Sequence, residues 1–241
     1  MSANGSTPPP LRIDLHCHTE ASHDCVTPLK VIPARLIARG IAVQAITDHD
    51  QIWGAQKLRD MVQDNPDWRG KLDIIIGEEI STAEGEIIGL FLKERIAPGL
   101  SPEDTVKAIK AQGGLVNLPH GFDPLKRHRL RPTARERIAA DIDIIEVFNA
   151  RISNMKWNTA AADWAKEHGK LMATGSDAHT WADLGCCAVE STWNAAIDSP
   201  ANLLAALAGA KVNGKWTHPA WAFALKSVFW VRQKLGFGVR G

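Results

Sequence analysis

Residues 14–19 read Asp-Leu-His-Cys-His-Thr and end a short apolar run, residues 11–15, that is typical of a buried β-strand. Because successive side chains of a strand point to opposite faces, Asp14, His16 and His18 share one face. Two imidazoles on one face can bind one divalent cation, with Asp14 orienting a ring from behind. Two buried, hydrogen-bonded histidines of the core would give the same pattern.

The rest of the chain repeats this arrangement of an apolar run, a polar end and a helical segment. Runs that are apolar at successive positions suit strands buried on both faces of a parallel sheet, and strands alternating with helices predict an α/β fold. The seven runs lie at residues 11–15, 42–46, 74–76, 87–92, 115–118, 142–148 and 171–173. Helix start and stop signals lie at Thr27 and Gly40, Ser101 and Gly113, Asn154 and Gly169, and Ser199 and Gly209.

Ionisable residues recur where these runs end. In a barrel of parallel strands the C-terminal strand ends meet at one face, where active sites lie. Burying many ionisable groups together without a metal would be costly, and mixed imidazole and carboxylate ligands suit zinc, iron or manganese. The residues predicted to converge are His16, His18, His49, Glu79, His120, Asp177 and His179.

This set resembles the PHP family of metal-dependent phosphoesterases, named for polymerase and histidinol phosphatase. The matching stretches come in family order and span most of the chain: DLHCHTEASHD at 14–24, TDHD at 47–50, GEE at 77–79, PH at 119–120 and SDAH at 176–179. The resemblance implies a distorted seven-stranded β/α barrel with two or three divalent metals at the C-terminal ends of the strands. The ions implied are zinc, manganese or iron, with magnesium as a further possibility.

The resemblance also implies which residues would bind each metal. The three sets are His16, His18, Glu79 and Asp177; Glu79, as a bridge, with His120; and Asp24, His49 and His179. His23 is the alternative to Asp24. Glu86 stands where the family often has another histidine, and a carboxylate there favours a harder ion such as manganese or magnesium, or leaves that site weak. A solvated turn residue is the equal alternative for Glu86.

The activity that the resemblance implies is hydrolysis of a small phosphomonoester or short phosphodiester by a metal-activated water. Paired cations about 3.5–4 Å apart would hold the phosphate oxygens and lower the pKa of that water toward ~7. The predicted catalytic residues are Asp177, His49 and His179, and either imidazole could protonate the leaving oxygen. We expect no covalent intermediate, since Ser176 suits a turn better than a nucleophile.

Candidate substrate-binding residues lie in and after the cationic segment 121–131. They are Arg127, Arg129, Asn149 and Arg151, with Glu146 as a further candidate or as the partner of an arginine. The arginines suit a phosphate group, and Asn149 could orient the substrate. The usual alternative for such a charge run is a solvated loop.

Composition narrows the function further. The 241 residues carry 28 Lys and Arg against 27 Asp and Glu, a net charge of +1, which counts against a general nucleic-acid binder. A small phosphorylated substrate is therefore the expected partner, and an exonuclease or oligonucleotide phosphodiesterase is the alternative. A non-catalytic, metal-stabilised binding scaffold is a third possibility. An amidohydrolase usually has a bridging lysine, and none is predicted at a strand end.

The predicted organisation has three parts: a disordered leader at 1–10, the phosphoesterase domain at 11–215 and a C-terminal helix at 216–241. That helix would pack on the barrel or at an interface; a membrane-interfacial helix is the alternative. The sequence has no apolar run of about 18 residues, no secretion-signal pattern and no disulfide spacing among its four cysteines. These features predict a cytoplasmic protein and leave the oligomeric state open.

Overall fold

Each of the seven apolar runs forms a strand in the computed structural model, which describes residues 9–218 together with residues 224, 227, 228 and 231. Two further strands follow them in the chain. The strands are β1 (Leu11–Asp14), β2 (Val43–Ile46), β3 (Asp73–Thr82), β4 (Gly85–Leu90), β5 (Leu115–Leu118), β6 (Ile144–Asn149), β7 (Leu171–Gly175), β8 (Cys187–Ser191) and β9 (Lys211–Gly214).

These strands form one sheet in the order β7-β6-β5-β4-β3-β2-β1-β8-β9. The sheet curls until its first seven strands nearly close into a barrel, and Leu15 N–H, just after β1, donates to Thr174 O of β7 at 3.1 Å. The α/β barrel prediction is confirmed, with nine strands rather than seven in the sheet that the described residues form. The antiparallel pair of β8 and β9, which helix α6 separates along the chain, accounts for the difference, because β8 pairs antiparallel with β1 through Ile13 and Val189.

The expectation of a wholly parallel sheet is wrong at β4, and it is also wrong at β8 and β9, which pair antiparallel with their neighbours. Strands β1 to β3 and β5 to β7 run parallel, but β4 is antiparallel to both of its neighbours. Only Ala83 and Glu84 connect β3 to β4, and two residues allow a hairpin but no crossover. The hairpin places Glu86 opposite Ser81, so that Glu79 and Glu86 lie on adjacent strands.

Between residues 9 and 218, six helices cover the sheet. They are α1 (Ile32–Ala38), which follows a 3-10 turn at Leu29–Val31, α2 (Trp53–Asp64), α3 (Pro102–Ala111), α4 (Pro132–Arg137), α5 (Met155–Glu167) and α6 (Pro200–Leu207). Alternating side chains of the strands pack in two layers. Ile74 and Ile76 belong to the same buried cluster as Leu58 of α2, whereas Ile75 belongs to a second cluster with Leu203 of α6. Both faces of the strands are therefore buried.

The three-part organisation stays a prediction. Residues 1–8 of the predicted leader lie outside the described residues, as does most of the predicted C-terminal helix. Within that helix, Ala224, Ser227, Val228 and Val231 are described as helical and exposed. Over the described part of the chain, no helix combines the length and the apolar character needed to cross a membrane. A cytoplasmic location stays a prediction as well.

Candidate metal centre

Five strands of the barrel position the ionisable residues at one rim. His16 and His18 follow β1, His49 follows β2, Glu79 lies within β3, His120 follows β5, and Asp177 and His179 follow β7. Strand pairing continues into the site, because His49 forms an isolated parallel bridge with Glu79. His120 (φ 25) and Asp177 (φ 50) adopt left-handed backbone conformations that non-glycine residues avoid. Such strain is typical of functional sites, where the surrounding structure maintains it.

Four side-chain atoms converge on one point: His16 Nε2, His18 Nε2, Glu79 Oε2 and Asp177 Oδ1. The two imidazole nitrogens are 3.1 Å apart and lie 3.3 and 3.2 Å from Glu79 Oε2. They lie 3.8 and 3.6 Å from Asp177 Oδ1. Ligands bound at 2.0–2.2 Å around a tetrahedral zinc ion are separated by about 3.3–3.6 Å. This buried set therefore fits one divalent cation.

Glu79 faces two groups of ligands at once. Its Oε2 belongs to the set just described, whereas its Oε1 lies 3.0 Å from His120 Nε2. Glu86 Oε2 lies 3.8 Å from the same His120 nitrogen, and Glu86 Oε1 lies 3.6 Å from His49 Nδ1. This arrangement suits a carboxylate that bridges two cations. Glu86 is 5% exposed, so it is no solvated turn residue.

The third predicted group also assembles. His179 Nε2 lies 2.9 Å from Asp24 Oδ2, and His49 Nε2 lies 3.8 Å from Asp24 Oδ1. Nitrogen atoms of His18, His49 and His179 lie within 4.8 Å of one another. His23 is exposed, and its ring centroid is 5.5 Å from that of His49. The geometry therefore favours Asp24 over His23 as the ligand.

Hydrogen bonds behind the first two histidines fix their tautomers. His16 Nδ1–H donates to Glu146 Oε2 at 2.7 Å, and His18 Nδ1–H donates to Ser22 Oγ at 3.1 Å. Each ring then presents its Nε2 to the centre, the usual arrangement for histidine ligands. Glu146 also accepts from Asn149 Nδ2 at 2.7 Å. Sequence reasoning left Glu146 open between substrate binding and an arginine partner, and the structure places it against His16.

Two buried aspartates hold the surrounding backbone. Asp14 was expected to orient a histidine ring, but its Oδ1 accepts the backbone N–H groups of His16 and Ser176 at 3.2 and 3.0 Å. Asp48, which sequence reasoning missed, accepts from Thr19 N–H at 2.6 Å and from Ser22 Oγ–H at 3.1 Å. Its position in the TDHD motif was the available signal. Asp48 therefore joins the loop after β1 to the end of β2.

The pKa shifts in the cluster indicate that nearby positive charge stabilises its carboxylates in the ionised form. Burial disfavours the imidazolium of His16, but Glu79, Glu146 and Asp177 outweigh that effect and raise its pKa well above the usual range. Burial, reinforced by Glu79, raises the pKa of Glu86 to about 10. Burial likewise disfavours the Asp177 carboxylate, yet Lys126 and then His16 hold its pKa well below normal. A set of acidic and imidazole ligands this crowded fits divalent cations by its chemistry as well as its distances.

Two positively charged side chains reach the metal centre from different loops. Arg151 Nη1 donates to the backbone oxygen of Asp177 at 3.0 Å and also contacts His179 Nδ1. Lys126 Nζ contacts Asp177 Oδ2. Sequence reasoning singled out Arg151 but passed over Lys126, because nothing in a run of basic residues shows which one points inward.

The other predicted substrate-binding residues lie in different surroundings. Arg127 is exposed and lines a cleft of about 170 Å³ over the ligand cluster. Arg129 lines a neighbouring groove of about 240 Å³. Asn149 is fully buried, and its Nδ2 donates to Glu146 and Asp177, so it contacts the carboxylates of the centre. Their roles toward a substrate stay predictions.

Comparison with known proteins gives similarity in sequence and in fold. An uncharacterized protein of Methanocaldococcus jannaschii, MJ1587, is 39% identical over 151 residues, which cover 58% of this chain and 82% of that protein. A two-domain protein from Bacteroides vulgatus, described as containing a predicted PHP-like metal-dependent phosphoesterase, superposes with a TM-score of 0.58 at 18% identity. The lesion-specific endonuclease PfuEndoQ from Pyrococcus furiosus superposes with a TM-score of 0.58 at 16% identity.

The two solved structures share the fold with this chain, which is matched over 84% of its length in each case. The chain spans 65% of the Bacteroides protein and 57% of the endonuclease. Family sequence models match the chain directly: the PHP-associated model at residues 156–212 and the PHP domain model at residues 14–173. Because the second match covers more than half of the chain and contains most of the assembled ligands, this protein belongs to the PHP domain family.

Proposed function

We propose that this protein hydrolyses a phosphate ester at the metal centre. The observation that carries the proposal is the convergence of a bridging carboxylate, Glu79, with imidazole and carboxylate ligands beneath a cleft that cations also line. When bound, divalent cations supply Lewis acidity: they lower the pKa of water and screen the negative charge of a phosphate. The cleft volume of about 170 Å³ suits a phosphate group with its leaving group extending outward.

The residues of the chain supply the rest of the chemistry. Arg151 and Arg127 reach the cleft from different loops and would bind phosphate oxygens that the metals leave free. Burial lowers the pKa of His49, and it lowers that of His179 to about 3, with His18 adding to the effect. Both imidazoles are then neutral at pH 7. A neutral imidazole suits a ligand better than a proton donor, which weighs against the predicted role in protonating the leaving oxygen.

A panel of phosphate esters, assayed with manganese, zinc, magnesium and iron(II), tests the proposal. We expect release of inorganic phosphate from at least one ester, and its loss in His16→Ala together with loss of bound metal. His23→Ala is the matched control, because His23 is exposed beside the same cluster. Metal binding without turnover of any ester would favour a binding scaffold and refute the proposal.

Cleavage of a nucleic-acid phosphodiester is a second candidate, favoured by one surface feature. The groove of about 240 Å³ beside the cleft is lined by Arg127, His128, Arg129 and Arg131, and it shares Glu86, Arg127 and His128 with the cleft. A cationic groove continuous with a metal centre suits a polyanion that extends beyond its reacting phosphate. The similarity to PfuEndoQ supports the fold alone.

The two candidates predict different effects of Arg129→Ala. Under the phosphodiesterase hypothesis, kcat/KM for a labelled oligonucleotide falls by about tenfold, the value of one charge-assisted contact, while p-nitrophenyl phosphate is unaffected. Arg69→Ala is the control, since Arg69 is exposed in the turn after α2 and lines neither cavity. Equal activity of Arg129→Ala and wild type on oligonucleotides would exclude a role for the groove.

A further inference from the structure

A buried carboxylate lies outside the ligand cluster. Asp123 is 1% exposed, and it lies in the loop that follows β5. It accepts hydrogen bonds from Leu125 N–H at 2.9 Å, from Ser153 N–H at 2.6 Å and from Ser153 Oγ–H at 2.7 Å. These donors are neutral. A carboxylate is costly to bury, and here hydrogen bonds that need both oxygens compensate the cost.

These hydrogen bonds join two loops from different strand ends. Asp123 and Leu125 belong to the loop after β5, whereas Ser153 belongs to the loop between β6 and α5. The separation of 30 residues along the chain makes the contact a tertiary crosslink rather than a local turn. Within its own loop Asp123 also shapes the chain, since its backbone oxygen accepts from Lys126 N–H at 3.2 Å.

Each of the two loops contains a basic residue whose side chain contacts Asp177. Lys126, three residues after Asp123, contacts Asp177 Oδ2 through Nζ. Arg151, two residues before Ser153, lies 3.7 Å from Asp177 Oδ1 through Nη1. The crosslink therefore lies behind both cations, and it fixes the spacing between the backbones that present them.

We propose that Asp123 is a positioning residue that clamps these two loops together, so that Lys126 and Arg151 form one cradle for the phosphate group of the substrate. The inference rests on the proposed function for the identity of the bound group. Long cationic side chains have several rotatable bonds, and binding an anion between two of them is favourable only where their stems are already fixed. Asp123 fixes the stems without touching the substrate.

The test compares Asp123→Asn and Ser153→Ala with wild type in binding and in turnover. In either orientation the amide of Asp123→Asn places an N–H group against a backbone N–H, that of Leu125 or that of Ser153, so the hydrogen bonds around residue 123 lose at least one member and the charge that strengthens the others. We expect the dissociation constant for inorganic phosphate, measured by calorimetry on the metal-loaded protein, to rise about tenfold. On an ester that the wild type hydrolyses, KM should rise by a similar factor while kcat changes less than about threefold.

Two further variants separate positioning from folding. Ser153→Thr retains the hydroxyl and should bind phosphate as wild type does. The double variant Asp123→Asn/Ser153→Ala should bind no more weakly than Asp123→Asn alone, because both changes remove the same interaction. Asp163→Asn is the control, since the Asp163 side chain is 67% exposed on α5. Metal content should equal that of wild type in every variant.

The outcomes that refute the inference differ from those that refute the proposed function. Unchanged phosphate binding in Asp123→Asn, at full metal content, would overturn the clamp even if an ester is hydrolysed. Loss of metal together with phosphate binding would show that Asp123 only supports the fold, and would also overturn it. If no ester is hydrolysed, the proposed function fails, yet the phosphate titration still decides whether Asp123 positions an anion site.

Discussion

At the scale of single residues, the support behind His16 is as informative as the ligands themselves. Glu146 lies against His16 Nδ1, and its carboxylate also packs over Gly175 at the end of β7. A Cβ atom on Gly175 would overlap Glu146 Oε2 and lie 2.7 Å from His16 Cβ. Both contacts are with buried atoms that have little room to move. Glycine is therefore required at this position by the packing of Glu146, and not by its backbone conformation.

The first prediction concerns Gly175→Ala. The added methyl group should displace Glu146 and release the His16 ring, and the affinity for the first metal should fall by about 10–100-fold, as for other changes behind a ligand. Competition with a chromophoric chelator measures this affinity. Gly209→Ala is the control: Gly209 has a φ of +78 and no neighbour within 4 Å, so that change should strain the backbone without affecting metal binding. Wild-type affinity in Gly175→Ala would contradict the packing argument.

How far the sequence predicts the site depends on how local each signal is. His16, His49 and His120 could be predicted because each follows an apolar run, and strand ends converge in a barrel. Glu146 lies 130 positions from His16, and its partner could not be identified from spacing. The contact of Lys126 with Asp177 could not be predicted for a different reason. It is one of several cations in a row, and only the loop backbone decides which of them turns inward.

At the scale of elements, the β3–β4 hairpin shapes the second side of the centre. Its turn packs tightly on the cationic loop, since Glu86 N–H donates to His128 O at 2.7 Å and Arg131 N–H donates to Glu84 O at 2.9 Å. Gly85 has a φ of +125, and a Cβ there would lie 2.5 Å from Leu130 Cα. Backbone conformation and close approach both require glycine at this turn.

The second prediction is that Gly85→Ala destabilises the protein by about 2 kcal/mol or more, because it combines backbone strain with a backbone clash. Urea unfolding measures this change in the free energy of unfolding: the midpoint should shift to lower urea while the m-value stays the same. Gly113→Ala is the matched control, because its φ of +78 brings the strain but no neighbour lies within 4 Å. If the two variants lose equal stability, the hairpin is not fixed by contact with the 127–131 segment.

Elements with clear end signals were predicted better than those without. Helix α3 has Ser101 as its N-cap, with Oγ accepting from Asp104 N–H at 3.1 Å, and it was anticipated. Helix α2 begins after Ile52, which makes no side-chain cap, and it was not. Strand β9 is exposed along its whole length and shows no apolar run. Its position depends on pairing with β8, which is information that a local window does not contain.

At the scale of the whole molecule, the ligands connect strands that lie far apart in the sequence. His16 and His18 follow β1, Glu79 belongs to β3, His120 follows β5 and Asp177 follows β7. Cations bound to these residues would crosslink the barrel around its rim. The barrel and the position of the centre could be predicted from motif order, whereas the antiparallel β4 and the pairing of β8 with β9 depend on contacts that local sequence windows do not contain. The unfolded chain cannot assemble these ligands, so metal binding must stabilise the folded state.

The third prediction follows from this linkage. Adding manganese or zinc at about 100 times its dissociation constant should stabilise the protein by about 2.7 kcal/mol, which corresponds to a rise in Tm of about 5–10 °C at this size. Calorimetry with metal, and with a chelator, measures the shift. In His16→Ala the shift in Tm should be smaller than in the wild type, because that variant loses one ligand of the first group. Protons compete with metals for imidazole and carboxylate ligands, so the shift should shrink as the pH falls below neutrality. A shift that persists unchanged in His16→Ala, or that grows on acidification, would place the stabilising metal somewhere other than the site that contains His16.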